Sequence, residues 1–161
     1  MGGDDRAGGG APQLAAELEG PGADPAAQLA AMAAYDRRLF ERAGDIITLI
    51  REAGRTEPEL AALYRDGRTR ADETRVQVFS SWPADVLRRG LDVTSAADIY
   101  AAVCNIDVYA VLTAERGWSP GQVEQWWSGA LARELLGRRP GAGDRRPRQP
   151  ARFAYPAPGT R

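Results

Sequence analysis

The stretch SAADIYAAVCNIDVYAVLTAER, Ser95 to Arg116, decides the fold. Ile99, Tyr100, Val103, Cys104, Ile106, Val108, Tyr109, Val111 and Leu112 recur at helical steps but on more than one face. A helix that is apolar nearly all round has to be buried nearly all round. The spacing predicts one helix, capped at Thr94 or Ser95 and running to about Arg116. A chain of 161 residues has few wholly interior helices. A second surface is therefore expected to cover part of this one, and a partner subunit is the economical candidate.

Downstream, GWSPGQVEQWW, Gly117 to Trp127, holds three of the four tryptophans. Ser119-Pro120 opens a further helix, with serine as N-cap and proline in the first turn. Val123, Trp126, Trp127, Ala130, Leu131, Leu135 and Leu136 follow at helical spacing. Adjacent helical residues point about 100° apart, so Trp126 and Trp127 cannot share the centre of one stripe. One is expected inside its own subunit and the other against a neighbour.

Upstream, Asp24-Pro25 starts a helix whose stripe is Leu29, Met32, Ala33, Leu39, Phe40, Ala43, Ile46, Ile47 and Ile50. It runs to about Glu52 and stops at Gly54, with Gly44 as a place for a bend. Thr56 and Glu59 have capping-box spacing and open the next helix, with the stripe Leu60, Leu63, Tyr64, Ala71, Val78 and Phe79. Its outer face alternates Arg65, Arg68, Arg70 and Arg75 with Asp66, Asp72 and Glu73. Trp82-Pro83 ends it, and Gly90 is the turn residue before the central helix. The reading is an all-α bundle of four to five main helices over residues 24–137. Residues 1–23 read as a Gly-rich linker, and 138–161 as a basic, disordered Arg/Pro tail in which seven arginines face one acid.

Composition excludes several chemistries. All 21 basic residues are arginine and there is no histidine. Schiff-base lysines, P-loop lysines, Ser-His-Asp triads and histidine metal sites are therefore absent. No metal or cofactor is expected, and no catalytic constellation is present. The single cysteine, Cys104, fits a reducing compartment and reads as a small core residue. No uninterrupted apolar run is long enough to span a membrane. Asp4 and Asp5 stand where a signal peptide needs a basic start. The expected location is cytoplasmic, with no membrane contact.

The segment from Arg89 to Leu136 resembles the end of a tetracycline-repressor (TetR) family regulator. The resemblance rests on Gly-Leu-Asp at 90–92, Ala-Ala-Asp-Ile at 96–99, Tyr109 and Glu-Arg-Gly-Trp-Ser at 115–119. Looser similarity extends back to Asp24-Pro25 and Thr56-Glu57-Pro58-Glu59-Leu60. It implies an effector-binding and dimerisation domain whose last two helices pair with their counterparts in a four-helix bundle. Many relatives carry Ser-Pro near Asn105-Ile106, where this chain has neither residue. The helix-turn-helix module that opens such regulators is missing from this chain, so DNA would be reached only through such a module. The alternative readings are a free-standing interaction protein acting by heterodimerisation, and a small pocket enzyme using Asp36 or Tyr109.

The implied partners are a second copy and a small-molecule effector. Candidate effector contacts are Asp36, Phe40, Tyr64, Phe79, Asn105 and Tyr109. Asp36 stands out as a carboxylate on an apolar stripe, suited to a cationic or hydroxylated ligand or to pairing with an arginine such as Arg68. Phe40, Ile47, Phe79 and Trp82 are candidate apolar walls. Candidate dimer residues are Val108, Leu112, Val123, Trp126, Trp127, Ala130 and Leu131.

Overall fold

The computed structural model describes residues 24–137; the linker and tail readings lie outside them. The described residues are all-α: α1 (Pro25–Ala53), α2 (Pro58–Ser80), α3 (Val93–Val103), α4 (Ile106–Ala110), a π-helical turn (Val111–Glu115) and α5 (Pro120–Leu135).

The first and last starts follow from local chemistry. Asp24 is extended, with Pro25 in the first turn of α1. Ser119 forms a full capping box: its hydroxyl accepts from the Gln122 N–H, and the Gln122 side chain accepts from the Ser119 N–H. Two other starts differ from expectation. Thr56 gives its hydroxyl to the Ala53 carbonyl at the end of α1, so no Thr56–Glu59 box forms and Glu57 occupies the N-cap. Asp92, rather than Thr94 or Ser95, caps α3 by accepting from the Ser95 N–H at 2.7 Å. That bond holds the Asp92 carboxyl below its ordinary pKa.

α1 passes through Gly44 without interruption. A Cβ there would stand 3.0 Å from the Ile106 side chain, so the glycine serves a close crossing rather than a bend. Gly90, by contrast, has φ +92° and makes the predicted turn.

The central helix is broken. Cys104 and Asn105 leave helical geometry, and Asn105 repairs both new ends. Its amide donates to the carbonyls of Ala101 and Ala102, at 3.3 and 2.9 Å, and its side-chain oxygen accepts from the Val108 N–H at 3.0 Å. Helix ends leave unpaired carbonyls and N–H groups, and here one side chain serves both sets. The apolar pattern continues across the break, so periodicity does not show it.

By length and a mean hydropathy of 1.3, Val93–Glu115 also meets the measure of a membrane-crossing helix, a measure that uninterrupted apolar runs alone miss. In the fold it is broken and lies against the core. Ala96, Ala97, Tyr100, Cys104, Ile106 and Tyr109 from this segment pack with Leu29, Met32, Ala33, Val78, Phe79, Val123, Trp127, Leu131 and Leu135.

The core is built on two aromatic groups. Trp127, fully buried, meets Phe40 edge-on at 6.0 Å between centroids and Tyr109 at 6.2 Å. Phe79 lies between Trp82 at 4.8 Å and Tyr100 at 6.3 Å. The indole N–H of Trp82 donates to Gln28 at 2.5 Å. Trp126, one residue before Trp127, is 39% exposed and meets Trp118 edge-on. The adjacent tryptophans thus point in different directions, one inward and one outward.

Candidate functional site

α1 and α2 form a hairpin, and between them lies a cavity of about 200 Å³. The α1 wall is Asp36, Leu39, Phe40, Ile47 and Ile50; the α2 wall includes Leu63, Tyr64, Arg68 and Arg75. Gly67 and Ala71 stand in the α2 wall where larger side chains would fill the space. Cys104 and Ile106, on either side of the helix break, close the third side.

One end of this cavity is polar. Asp36 and Arg75 are among the few charged side chains buried in the domain, at 9% and 5% exposure. Tyr100 donates its hydroxyl to Asp36 Oδ2 at 3.0 Å. Arg75 Nη2 stands 3.8 Å from the same oxygen, Nη1 bonds Asp72 at 2.6 Å, and the guanidinium lies 4.8 Å from the Tyr100 ring centroid. Desolvation pushes the Asp36 carboxyl up to about 6, against the opposing pull of Arg75, the Tyr100 hydrogen bond and Arg68. Burial likewise holds the Tyr100 hydroxyl and the Cys104 thiol well above their ordinary values, so both stay protonated at neutral pH.

Three of the six candidate contacts, Asp36, Phe40 and Tyr64, line this cavity. The other three do not. Phe79 is enclosed between Trp82 and Tyr100. Asn105 is spent on the two helix ends. Tyr109 packs on Phe40 and Trp127 at 8% exposure. Of the candidate walls, Ile47 lines the cavity, whereas Trp82 sits in the second aromatic group.

Arg75 corrects the reading of α2, which put it on the wet face beside Arg65, Arg68 and Arg70. It lies four residues after Ala71 and three before Val78, within the apolar stripe, and that spacing was the available signal. It pairs with Asp36, while Arg68 acts on that carboxyl at longer range.

The candidate dimer residues also divide. Val123, Trp127 and Leu131 are fully buried within their own chain and Ala130 is 8% exposed, so they leave little or no surface for a partner. The apolar face of α5 turns toward α1 and α3 instead. Val108 and Leu112 are half-buried, and Trp126 is exposed together with Val111. These four stay available.

Among the described residues no cluster of histidine, cysteine or acidic side chains is placed to hold a metal ion. Comparison with protein-family models, curated proteins and solved structures finds no match for this chain.

Proposed function

We propose that this chain is the effector-sensing and dimerisation domain of a TetR-like transcriptional regulator, binding a small molecule in the α1–α2 cavity. The observation that carries the reading is the cavity itself. Protein interiors are close-packed, and an apolar pocket with a few convergent polar groups is the usual form of a small-molecule site. Here the polar groups on the lining include a buried carboxylate, Asp36, and a buried guanidinium, Arg75, with the Tyr100 hydroxyl bonded to Asp36 from outside the lining.

The mechanism is a population shift: an effector favours one arrangement of helices over another and so alters the spacing of attached DNA-reading modules. Ile106 touches both the cavity and α1 at Gly44. Arg51 of α1 holds Asp107 of α4 through two hydrogen bonds, at 2.8 and 2.9 Å. Motion at the cavity would therefore reach the segment that bears Val108, Val111 and Leu112.

A thermal-shift screen of small molecules tests the site. A ligand present at a hundred times its Kd should stabilise the domain by about 2.7 kcal/mol, raising Tm by several degrees. Ala71→Phe, which fills the cavity, should abolish that rise. In a form of the regulator that carries a DNA-reading module, the same ligand should change operator affinity. Operator binding indifferent to every ligand that binds the cavity sinks the sensing mechanism.

Dimerisation has its own test. Light scattering at micromolar concentration should give twice the chain mass, and Val111→Asp combined with Trp126→Asp should give the single mass. A monomeric wild-type chain removes the dimer from the proposal.

A further inference from the structure

We propose that the cavity is suited to a small apolar carboxylic acid, its carboxylate held by Arg75 and Arg68 and its apolar body lying toward Ile47, Ile50 and Leu63. This rests on reading the cavity as a ligand site, and it names the ligand's chemical class.

The cavity is long and has two unlike ends. α1 and α2 run antiparallel, so Asp36 faces Arg75 at one end while Ile50 faces Leu63 at the other. Fourteen residues of helix separate Asp36 from Ile50, roughly 20 Å along the axis. A molecule lying in this space presents one end to charged groups and most of the rest to hydrocarbon, with Tyr64 the one polar side chain among Leu63, Ile47 and Ile50. That is the shape of an alkyl or flat aromatic body with a single polar head.

The charges choose the head. Arg75 is 5% exposed, yet it gives one hydrogen bond, from Nη1 to Asp72. Its Nη2 is 3.8 Å from Asp36, too far for a hydrogen bond. A guanidinium has five N–H donors. None of the other Arg75 nitrogens is both sealed from solvent and unpartnered, and Arg75 lines the cavity, where those donors are open to a ligand. A carboxylate fits such a fork, accepting two parallel bonds. Arg68 lines the same cavity and forms no ion pair among the described residues. The lining carries two guanidinium groups and one carboxylate. Asp72 bonds Arg75 from outside that lining and is half exposed, where water screens its charge, so an anionic head is favoured over an ammonium one.

Asp36 is the apparent obstacle, and its surroundings resolve it. The groups facing it are Arg75 and Arg68 from α2, Tyr100 from α3 and Cys104 from the break that follows α3. Arg37, its neighbour on α1, is engaged by Glu124 and Glu41. With a carboxyl already titrating near 6, a second carboxylate nearby raises it further. Asp36 then takes a proton as the ligand enters, which removes the repulsion.

Calorimetric titration of the full chain with octanoate, octanol and octylamine tests this directly. Octanoate should bind about tenfold more tightly than octanol, and octylamine most weakly. Arg68→Gln, an exposed substitution, should lose most of the preference for octanoate over octanol. Octanoate affinity should fall by more than about tenfold from pH 6 to pH 8, as the proton on Asp36 becomes harder to supply. In Asp36→Asn that fall should vanish. Octanol equal to octanoate, or octylamine ahead of it, overturns the carboxylate assignment while leaving a ligand cavity. A pH dependence unchanged in Asp36→Asn overturns the proton uptake at that residue. Failure of all three probes to bind removes both the assignment and the reading on which it rests.

Discussion

Truncating Trp127 to alanine should destabilise the domain by about 3–5 kcal/mol, seen as a large fall in the urea midpoint. The indole is fully buried and its ring is met by Phe40 and Tyr109. It stands on the same face of α5 as Val123 and Leu131, both also at zero exposure. Losing it opens a void where α1, α4 and α5 meet, and rigid neighbours fill such a void only in part. Small domains have about 5–15 kcal/mol in total, so the variant sits near the edge of folding.

Trp127→Phe keeps the fold measurable and adds a second readout. The Trp127 Nε1 finds no acceptor among the described residues, and an unpaired buried donor costs about 1–3 kcal/mol. Phenylalanine removes that donor together with some volume, so its net cost should be well below that of alanine. Trp126→Ala, one residue earlier, should cost the isolated chain less than about 1 kcal/mol. Similar costs at the two positions would mean that the inward and outward assignments are mistaken.

The second large effect is in the pH dependence of stability. Asp36 titrates near 6 in the folded chain, against an ordinary 3.8. Between those values the folded state binds more protons than the unfolded one, so stability falls as pH rises. The loss at pH 7 is about 3 kcal/mol. Asp36→Asn mimics the protonated carboxyl and should be more stable than wild type at pH 7 by up to that amount. At pH 4 the two should nearly coincide. The informative quantity is the difference between the two proteins in urea melts from pH 4 to 7. A constant difference across that range, or a variant weaker at pH 7, contradicts the burial of a reluctant charge.

What could be read from the sequence was what is decided locally. Ser119, Pro120 and Gln122 specify a helix start within four residues, and Asp24-Pro25 does the same for α1. That the two tryptophans point apart follows from helical geometry alone; which of them turns inward does not. Choices settled by distant contacts were not legible. Thr56 donates its hydroxyl to the Ala53 carbonyl at the end of the preceding helix, and Glu57 rather than Thr56 stands at the N-cap, so no capping box forms. Asn105 looks like an ordinary polar residue in an apolar helix until the backbone breaks beside it.

The site divides in the same way. Asp36 was visible as a charge on an apolar stripe, and Phe40 and Tyr64 as large side chains on facing stripes. Arg75 was hidden among alternating arginines and acids, because only the packing of α1 on α2 decides which arginine turns inward. Gly67, Ala71 and Ile106 gave no signal, since empty space depends on what faces them.

The double duty of Asn105 bears on how this chain tolerates substitution. Aspartate or serine can accept from the Val108 N–H but lacks the amide that donates to Ala101 and Ala102. Glutamine has both groups on a longer arm, set for a different reach. In a comprehensive codon scan, position 105 would show the narrow spectrum usually credited to residues that touch a ligand. Its constraint is architectural, set by two helix ends that share one amide.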